Sequence, residues 1–318
     1  MAVAEAQLNQ EGNDNVDYTA VAAVEGGDVV SLPDGRAAVV PTDIAAGDKG
    51  SASTCGIYTV TKTATQVWLP GAKLWWDHSA NAATCIPQYA DDDFYLGTAY
   101  EDVASATTTG KVQLNNHPAC IIDTQDSGGD TAVVLTSGTP YLVSRGGSLT
   151  AAFSATAEAQ KLDWLSKRSF PIDSNWILEA DIEVVTNADA DVGDLNVGVA
   201  NATHASDADT IGESVFIHLD MGGSLNILAE SDDGTTEVAA TDTTVDWVVG
   251  TPFHIAIDGR DETDIQIYVN GVLVLGGSTF TLTAATGPLK ALFHLEKTSN
   301  DSPGVVSLDS MTVRIANE

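Results

Sequence analysis

Glu179-Ala180-Asp181-Ile182-Glu183 sets three carboxylates at alternate positions. On a strand, alternation puts Glu179, Asp181 and Glu183 on one face and Leu178, Ala180, Ile182 and Val184 on the other. Successive acids then stand ~6.6 Å apart at Cα, near the about 5–5.5 Å that separates nucleophile and acid/base carboxyls in retaining glycosidases. This makes Glu179, Asp181 and Glu183 the candidate glycan face. The same pattern also describes the solvated outer face of an amphipathic strand. Aromatic residues are 6% of the chain, and Trp164, Trp176 and Trp247 are scattered, so no run of sugar-stacking rings accompanies the acids.

A second candidate is a cation loop. Asp189, Asp191 and Asp194 fall within one six-residue stretch, with Asp207 and Asp209 beyond it. Calcium takes six to eight oxygens, often from closely spaced aspartates and backbone carbonyls. The twelfth position from Asp189 is Ala200, not the Glu that an EF-hand loop needs. A solvated acidic loop is the competing reading, and no other cofactor is implied. His78, His117, His204, His218, His254 and His294 lack metalloprotease spacing; His218 and His254 lie inside strand runs, as packed or hydrogen-bonded groups. Cys55, Cys85 and Cys120 are odd in number, widely spaced and without a CxxC pair, which reads as small buried side chains. The chain carries no nucleophile elbow, P-loop or dinucleotide fingerprint, and it reads as a non-enzyme.

The elements that must position these residues are strands. Short runs rich in Val, Ile, Thr and Leu are broken by Gly, Asp, Asn and Ser, which predicts an all-β protein. Strands are expected near Tyr18–Val24, Asp28–Leu32, Ala37–Pro41, Gly56–Lys62, Lys73–Asp77, Tyr95–Tyr100 and Gly110–Leu114. Helical turns are the most that Asp43–Gly47 and Ala80–Ala83 would form. The polar stretch Asp123–Asp130 suggests a break in organisation. The expected division is a flexible N-terminal arm at 1–17, a first domain at 18–116, a linker at 117–140 and a second domain at 141–318. In the second, about twelve short strands over roughly 180 residues point to a two-sheet antiparallel sandwich. Its clearest hairpin is Ile265–Val269, the Asn270-Gly271 turn and Val272–Leu275. Trp75-Trp76-Asp77 sits on a strand, so one indole faces a core and the other faces out.

Charge bounds the partners. The 318 residues carry a net charge of −32, with 15 acids and 5 bases in residues 1–116 and 30 and 8 in 117–318. A phosphate binder must neutralise its ligand with Lys and Arg, so nucleic acid and anionic lipid are unfavourable partners. No apolar run reaches the ~18 residues of a bilayer span. Met1 to Gly12 lacks the basic and apolar segments of a secretory signal. A soluble protein made in the cytoplasm is expected.

In order along the chain run Gly27-Asp28-Val29-Val30, Asp43-Ile44-Ala45-Ala46-Gly47, Gly56-Ile57-Tyr58-Thr59-Val60-Thr61-Lys62, Leu74-Trp75-Trp76-Asp77, Leu96-Gly97-Thr98-Ala99-Tyr100-Glu101-Asp102 and Val112-Gln113-Leu114-Asn115. This order resembles the capsid cement, or head decoration, proteins of tailed bacteriophages, over about residues 18–115. The resemblance implies a small β-barrel-like domain that trimerises on the outer surface of an icosahedral head, having been assembled in the host cytoplasm. The major capsid protein would be its partner, with Trp75, Trp76, Asp77 and Tyr100 at the capsid or trimer contact. The hairpin at Ile265–Leu275, the strand Trp176–Ile182 and the closing segment Val306–Ile315 are similar to concanavalin-A-like and laminin-G-like jelly rolls. That likeness implies a lectin-like outer domain with a host-surface glycan as a further partner. The alternative is a glycan-binding or polysaccharide-cleaving protein, since jelly-roll hydrolases of β-glucans and galactans use an E-x-D-x-E strand like that of Glu179, Asp181 and Glu183.

Overall fold

The computed structural model describes residues 6–10, 15–88, 92–124, 129–135, 138–145, 148–187, 193–202, 207–221, 224–298 and 303–315. The chain divides into two compact units, one built on Met1–Ala119 and the other on Cys120–Val269 and Leu273–Glu318. Both are β-structured, as the strand periodicity predicts, and the single helical element among the described residues is a 3₁₀ turn at Ala208–Thr210.

The first unit contains β1 (Ala6–Gln10), β2 (Asn15–Thr19), β3 (Val29–Ser31), β4 (Ala37–Val39), β5 (Lys49–Ser53), β6 (Ile57–Thr61), β7 (Lys73–Asp77), β8 (Ala82–Thr84), β9 (Phe94–Ala99) and β10 (Thr109–Leu114). They form a six-stranded sheet, β1-β6-β10-β9-β7-β8, and a four-stranded sheet, β2-β5-β4-β3. Among the described residues no continuous ladder closes the larger sheet; one parallel bridge, Lys62 to Ala83, links the end of β6 to β8. Where a flexible arm was expected at 1–17, β1 pairs with β6 and β2 pairs with β5. The cause is visible in Asn15-Val16-Asp17-Tyr18-Thr19, whose residues alternate between exposed and half-buried. The two expected helical turns are also absent. Ile44 forms a bridge with Val24, and Ala82–Thr84 is a strand.

One supersecondary device recurs in this unit. Val24 and Ile44 exchange both backbone hydrogen bonds at 3.0 Å, and Trp68 and Val103 do the same at 2.9–3.0 Å. After each of these four residues comes a tight turn, closed by Asp28 to Glu25, Asp48 to Ala45, Ala72 to Leu69 and Thr107 to Ala104. Gly27, Gly47 and Gly71 occupy three of these turns at positive φ, which only glycine adopts without strain. Each pair is a local two-fold that presents one large apolar side chain from each limb. Trp68 joins Trp76, Leu74, Leu96 and Val112 in the core, each fully buried.

The second unit contains β11 (Ile122–Asp123), β12 (Gly129–Leu135), β13 (Tyr141–Arg145), β14 (Ser148–Ala152), β15 (Gln160–Ser166), β16 (Trp176–Thr186), β17 (Gly193–Ala200), β18 (Ser214–Asp220), β19 (Asn226–Asp232), β20 (Glu237–Asp246), β21 (Phe253–Gly259), β22 (Gln266–Val269), β23 (Val272–Val274), β24 (Lys290–Lys297) and β25 (Val305–Ile315). One sheet runs β12-β15-β24-β17-β18-β19-β20; the other runs β13-β14-β25-β16-β21-β22-β23, with β11 also paired to β25. The stretch expected as a linker at 117–140 thus supplies β11 and β12 to these sheets, and the backbone of Ala132–Leu135 runs in register with Asp163–Gln160 of β15. Between the sheets lies one apolar core containing Trp164, Trp176, Trp247, Phe280 and Phe293. Gly259 sits under Trp176, whose ring would lie 2.1 Å from a Cβ there, so the indole is seated by the absence of a side chain. The two-layer antiparallel sandwich matches the expected fold class.

Candidate functional site

On the first unit, the expected contact residues divide by strand parity. Trp76 is fully buried in the core. Trp75 points the other way, edge-on to Tyr95 at 5.7 Å between ring centroids, and Tyr95 stacks on His117 at 5.2 Å. Asp77 accepts from the Ser79 hydroxyl at 2.7 Å and the Ala80 N–H at 2.9 Å. Burial raises its pKa, but these bonds outweigh burial and hold the carboxyl below its usual range; Asp77 shapes a turn. Tyr100 is half exposed at the end of β9, and Val21 is 94% exposed.

On the second unit, core packing of Leu178, Ala180, Ile182 and Val184 turns Glu179, Asp181 and Glu183 to the opposite face of β16, as alternation requires. Partners from neighbouring strands occupy two of them. Arg314 on β25 donates to both Glu179 oxygens, at 2.7 and 3.0 Å. Asp181 lies across from His254 on β21 and Ser310 on β25, with His254 Nδ1 at 2.8 Å and the Ser310 hydroxyl at 2.9 Å. Burial lowers the His254 pKa, but the Asp181 hydrogen bond and the charges of Asp181 and Glu179 raise it overall. Glu179 and Asp181 are each 4% exposed and Glu183 is half-buried. Two carboxyls sealed in ion pairs do not form a glycan face, and the solvated-face alternative also fails for them.

A denser polar face lies on the seven-stranded sheet, on the side away from the core. Asp163, His294, Asn196 and His218 stand in register across β15, β24, β17 and β18. His294 contacts Asp163 through Nδ1 and Glu296 through Nε2 (3.1 Å), while Lys161 pairs with Glu296 at 2.7 Å. Burial opposes the charge on His294, but these carboxylates raise its pKa to about 9. Glu296 is lowered overall, as His294 and Lys161 outweigh burial.

Beside this row His218 faces three acids. Nε2 lies 3.5 Å from Asp194 Oδ1, and Nδ1 lies 3.4 Å from Asp209 Oδ2 and 3.6 Å from Glu230 Oε1. Asn196 donates to Asp209 Oδ1 at 2.6 Å and to Glu230 Oε1 at 3.0 Å. Asp207 caps the 3₁₀ turn by accepting the Asp209 N–H, which fixes the backbone carrying Asp209. Burial, then the Glu230 charge, push Asp209 up to about 7. For His218 burial disfavours charge, but Asp194, Glu230 and Asp209 raise it to about 10. Asp209, His218 and Glu230 are the one group among the described residues with cation-ligating geometry. Of the expected calcium residues, Asp194 stands behind His218, and Asp189 and Asp191 lie outside the described residues. Along the sequence His218 reads as a packed or hydrogen-bonded group, and Glu230 and Asn196 carry no ligand spacing. Their signal was a polar side chain at alternate positions of apolar strands.

These features define a two-unit, all-β protein with no open catalytic pair at the expected acids. Residues 9–114, almost the whole described first unit, match the family model described as phage cement protein. No curated protein matches the chain. Among solved structures, an endo-acting O-glycanase of human gut microbiota is 14% identical, covering 63% of this chain and 100% of its own, at a TM-score of 0.46. A Bacteroides ovatus mixed linkage glucan GH16 protein in complex with product is 10% identical, covering 61% and 100%, at 0.42. A carbohydrate esterase of the Shiga toxin-encoding bacteriophage phi24B is 11% identical, covering 63% and 99%, at 0.39. At such identities none of them speaks to a substrate, and the jelly-roll assignment rests on the strand ladders. The family match supports a structural phage protein.

Proposed function

We propose that this chain is a head decoration protein. It binds the outer surface of an icosahedral phage capsid as a trimer, stabilises the shell and displays its acidic sandwich to the medium. The observation that carries the reading is the cement-family match over residues 9–114. A ligand specific to the assembled shell stabilises that shell by mass action. A trimer engaging three sites gains affinity through effective concentration even when each contact is weak. A net charge of −32 disfavours packaged DNA as a neighbour and favours the outside of the head. Trp75, Tyr100 and Val21 are the apolar groups offered for protein contact, whereas Trp76 and Asp77 serve the domain's own fold.

Purified protein added to expanded heads lacking it should bind saturably and raise their resistance to heat and osmotic shock. Unsaturable or absent binding overturns the reading. A polysaccharide-cleaving function centred on Glu179, Asp181 and Glu183 has no observation in its favour, because the first two are engaged by Arg314 and His254. A host-surface glycan partner for the sandwich remains compatible with decoration and would use other residues.

A further inference from the structure

We propose that Asp209 Oδ2, His218 Nδ1 and Glu230 Oε1 bind one first-row divalent cation of the zinc type, with a fourth position left to solvent. His218 is 6% exposed, yet its Nδ1 has no hydrogen-bond partner, and a buried polar atom left unpaired is costly. Two carboxylate oxygens, Asp209 Oδ2 and Glu230 Oε1, lie 3.4 and 3.6 Å from that nitrogen. Metal bonds of about 2.0–2.2 Å in a tetrahedron put neighbouring ligands ~3.3–3.6 Å apart, which both distances from the nitrogen meet, and all three ligand atoms lie within 4.8 Å of one another.

The surroundings are arranged as a metal's supporting groups are. Asp194 lies 3.5 Å from Nε2, where it favours the tautomer that carries its proton on Nε2 and leaves the Nδ1 lone pair for the ion. Asn196 holds the second oxygen of Asp209 and one oxygen of Glu230, which fixes both carboxylates. Asp209 is one-third exposed while His218 and Glu230 are buried, so the ion has an entry side. One imidazole with two carboxylates suits zinc or its first-row neighbours; calcium prefers an all-oxygen set of six to eight.

The test uses the full chain, stripped with chelator and titrated with zinc chloride by calorimetry, followed by X-ray absorption at the zinc edge. One zinc per chain is expected, in a nitrogen/oxygen shell without sulfur, and not displaced by equimolar calcium. Glu230→Gln should weaken binding by more than the 10–100-fold typical of an orienting residue, and Asn196→Ala by about that range. Glu183→Gln, an acid elsewhere on the sandwich, should change nothing. Should His218→Ala fail to fold, Asp209→Asn carries the same test from a partly exposed position. Substoichiometric binding, zinc–sulfur scattering from the cysteines, displacement by calcium, or full affinity in Glu230→Gln each overturn the proposal.

Discussion

Replacing Arg314 by Leu should destabilise the sandwich strongly, and the reason lies in what remains behind. Arg314 and Glu179 are each 4% exposed, and the guanidinium makes a two-pronged bond to the carboxylate. His254 Nε2 lies 3.9 Å from Glu179 Oε1, too far to replace that bond. Breaking one side of a buried ion pair costs about 3–5 kcal/mol, because the other charge stays buried without compensation. For a unit of this size each kcal/mol is worth roughly 2–4 °C in Tm, so Arg314→Leu should lose ~6–20 °C. Replacing both partners with Leu should recover most of the loss, since two apolar groups leave no orphan charge. Urea denaturation, combined with hydrogen exchange across β16 and β25, measures both effects. If Arg314→Leu unfolds within about 1 kcal/mol of the parent, the pair is not desolvated. Glu179 would then be free for chemistry and the structural role assigned to it would fall.

Three further outcomes follow from the same geometry. His294 has its pKa raised from 6.5 to about 9, so its stabilisation is fully present below pH 6.5 and is lost as pH rises through about 9. Denaturation across pH 6–10 should show falling stability in that window, and His294→Gln should flatten that part of the slope. Trp76→Ala should cost about 3–5 kcal/mol by emptying the first unit's core, whereas Trp75→Ala should cost less than about 1.5 kcal/mol and instead weaken head binding in a sedimentation assay. Gly97 has φ +147°, and a Cβ there would lie 2.1 Å from the Gln113 carbonyl oxygen. Gly97→Ala should therefore part β9 from β10 and lose more than about 2 kcal/mol in a thermal melt.

Strand alternation made much of this architecture legible. The hairpin at Asn270-Gly271 announces itself, because the turn demands positive φ at both positions and both residues adopt it. The two faces of β16 could likewise be assigned from Leu178 to Val184. What alternation does not show is the partner. Arg314 and His254 lie 135 and 73 residues from the acids they engage, so a buried ion pair and a solvated face look alike along the chain. β5 was missed because Lys-Gly-Ser-Ala-Ser holds no β-branched or aromatic residue, and it forms through its ladder with β2. In β15, buried Asp163 and Ser166 interrupt the apolar pattern, so periodicity marks that strand poorly. The His218 cluster was hidden for a related reason. Its ligands come from a 3₁₀ turn and two strands, and only folding puts their oxygens around one nitrogen.

The central claim is that the first unit docks on a capsid. A cryo-EM reconstruction of expanded heads, prepared without this protein and then saturated with it, tests that claim most directly. Added density is expected on the outer surface at three-fold positions, with three copies of the first unit against the shell and the acidic sandwich beyond them. A reconstruction identical to that of the bare heads, or density confined to the inner surface, contradicts it.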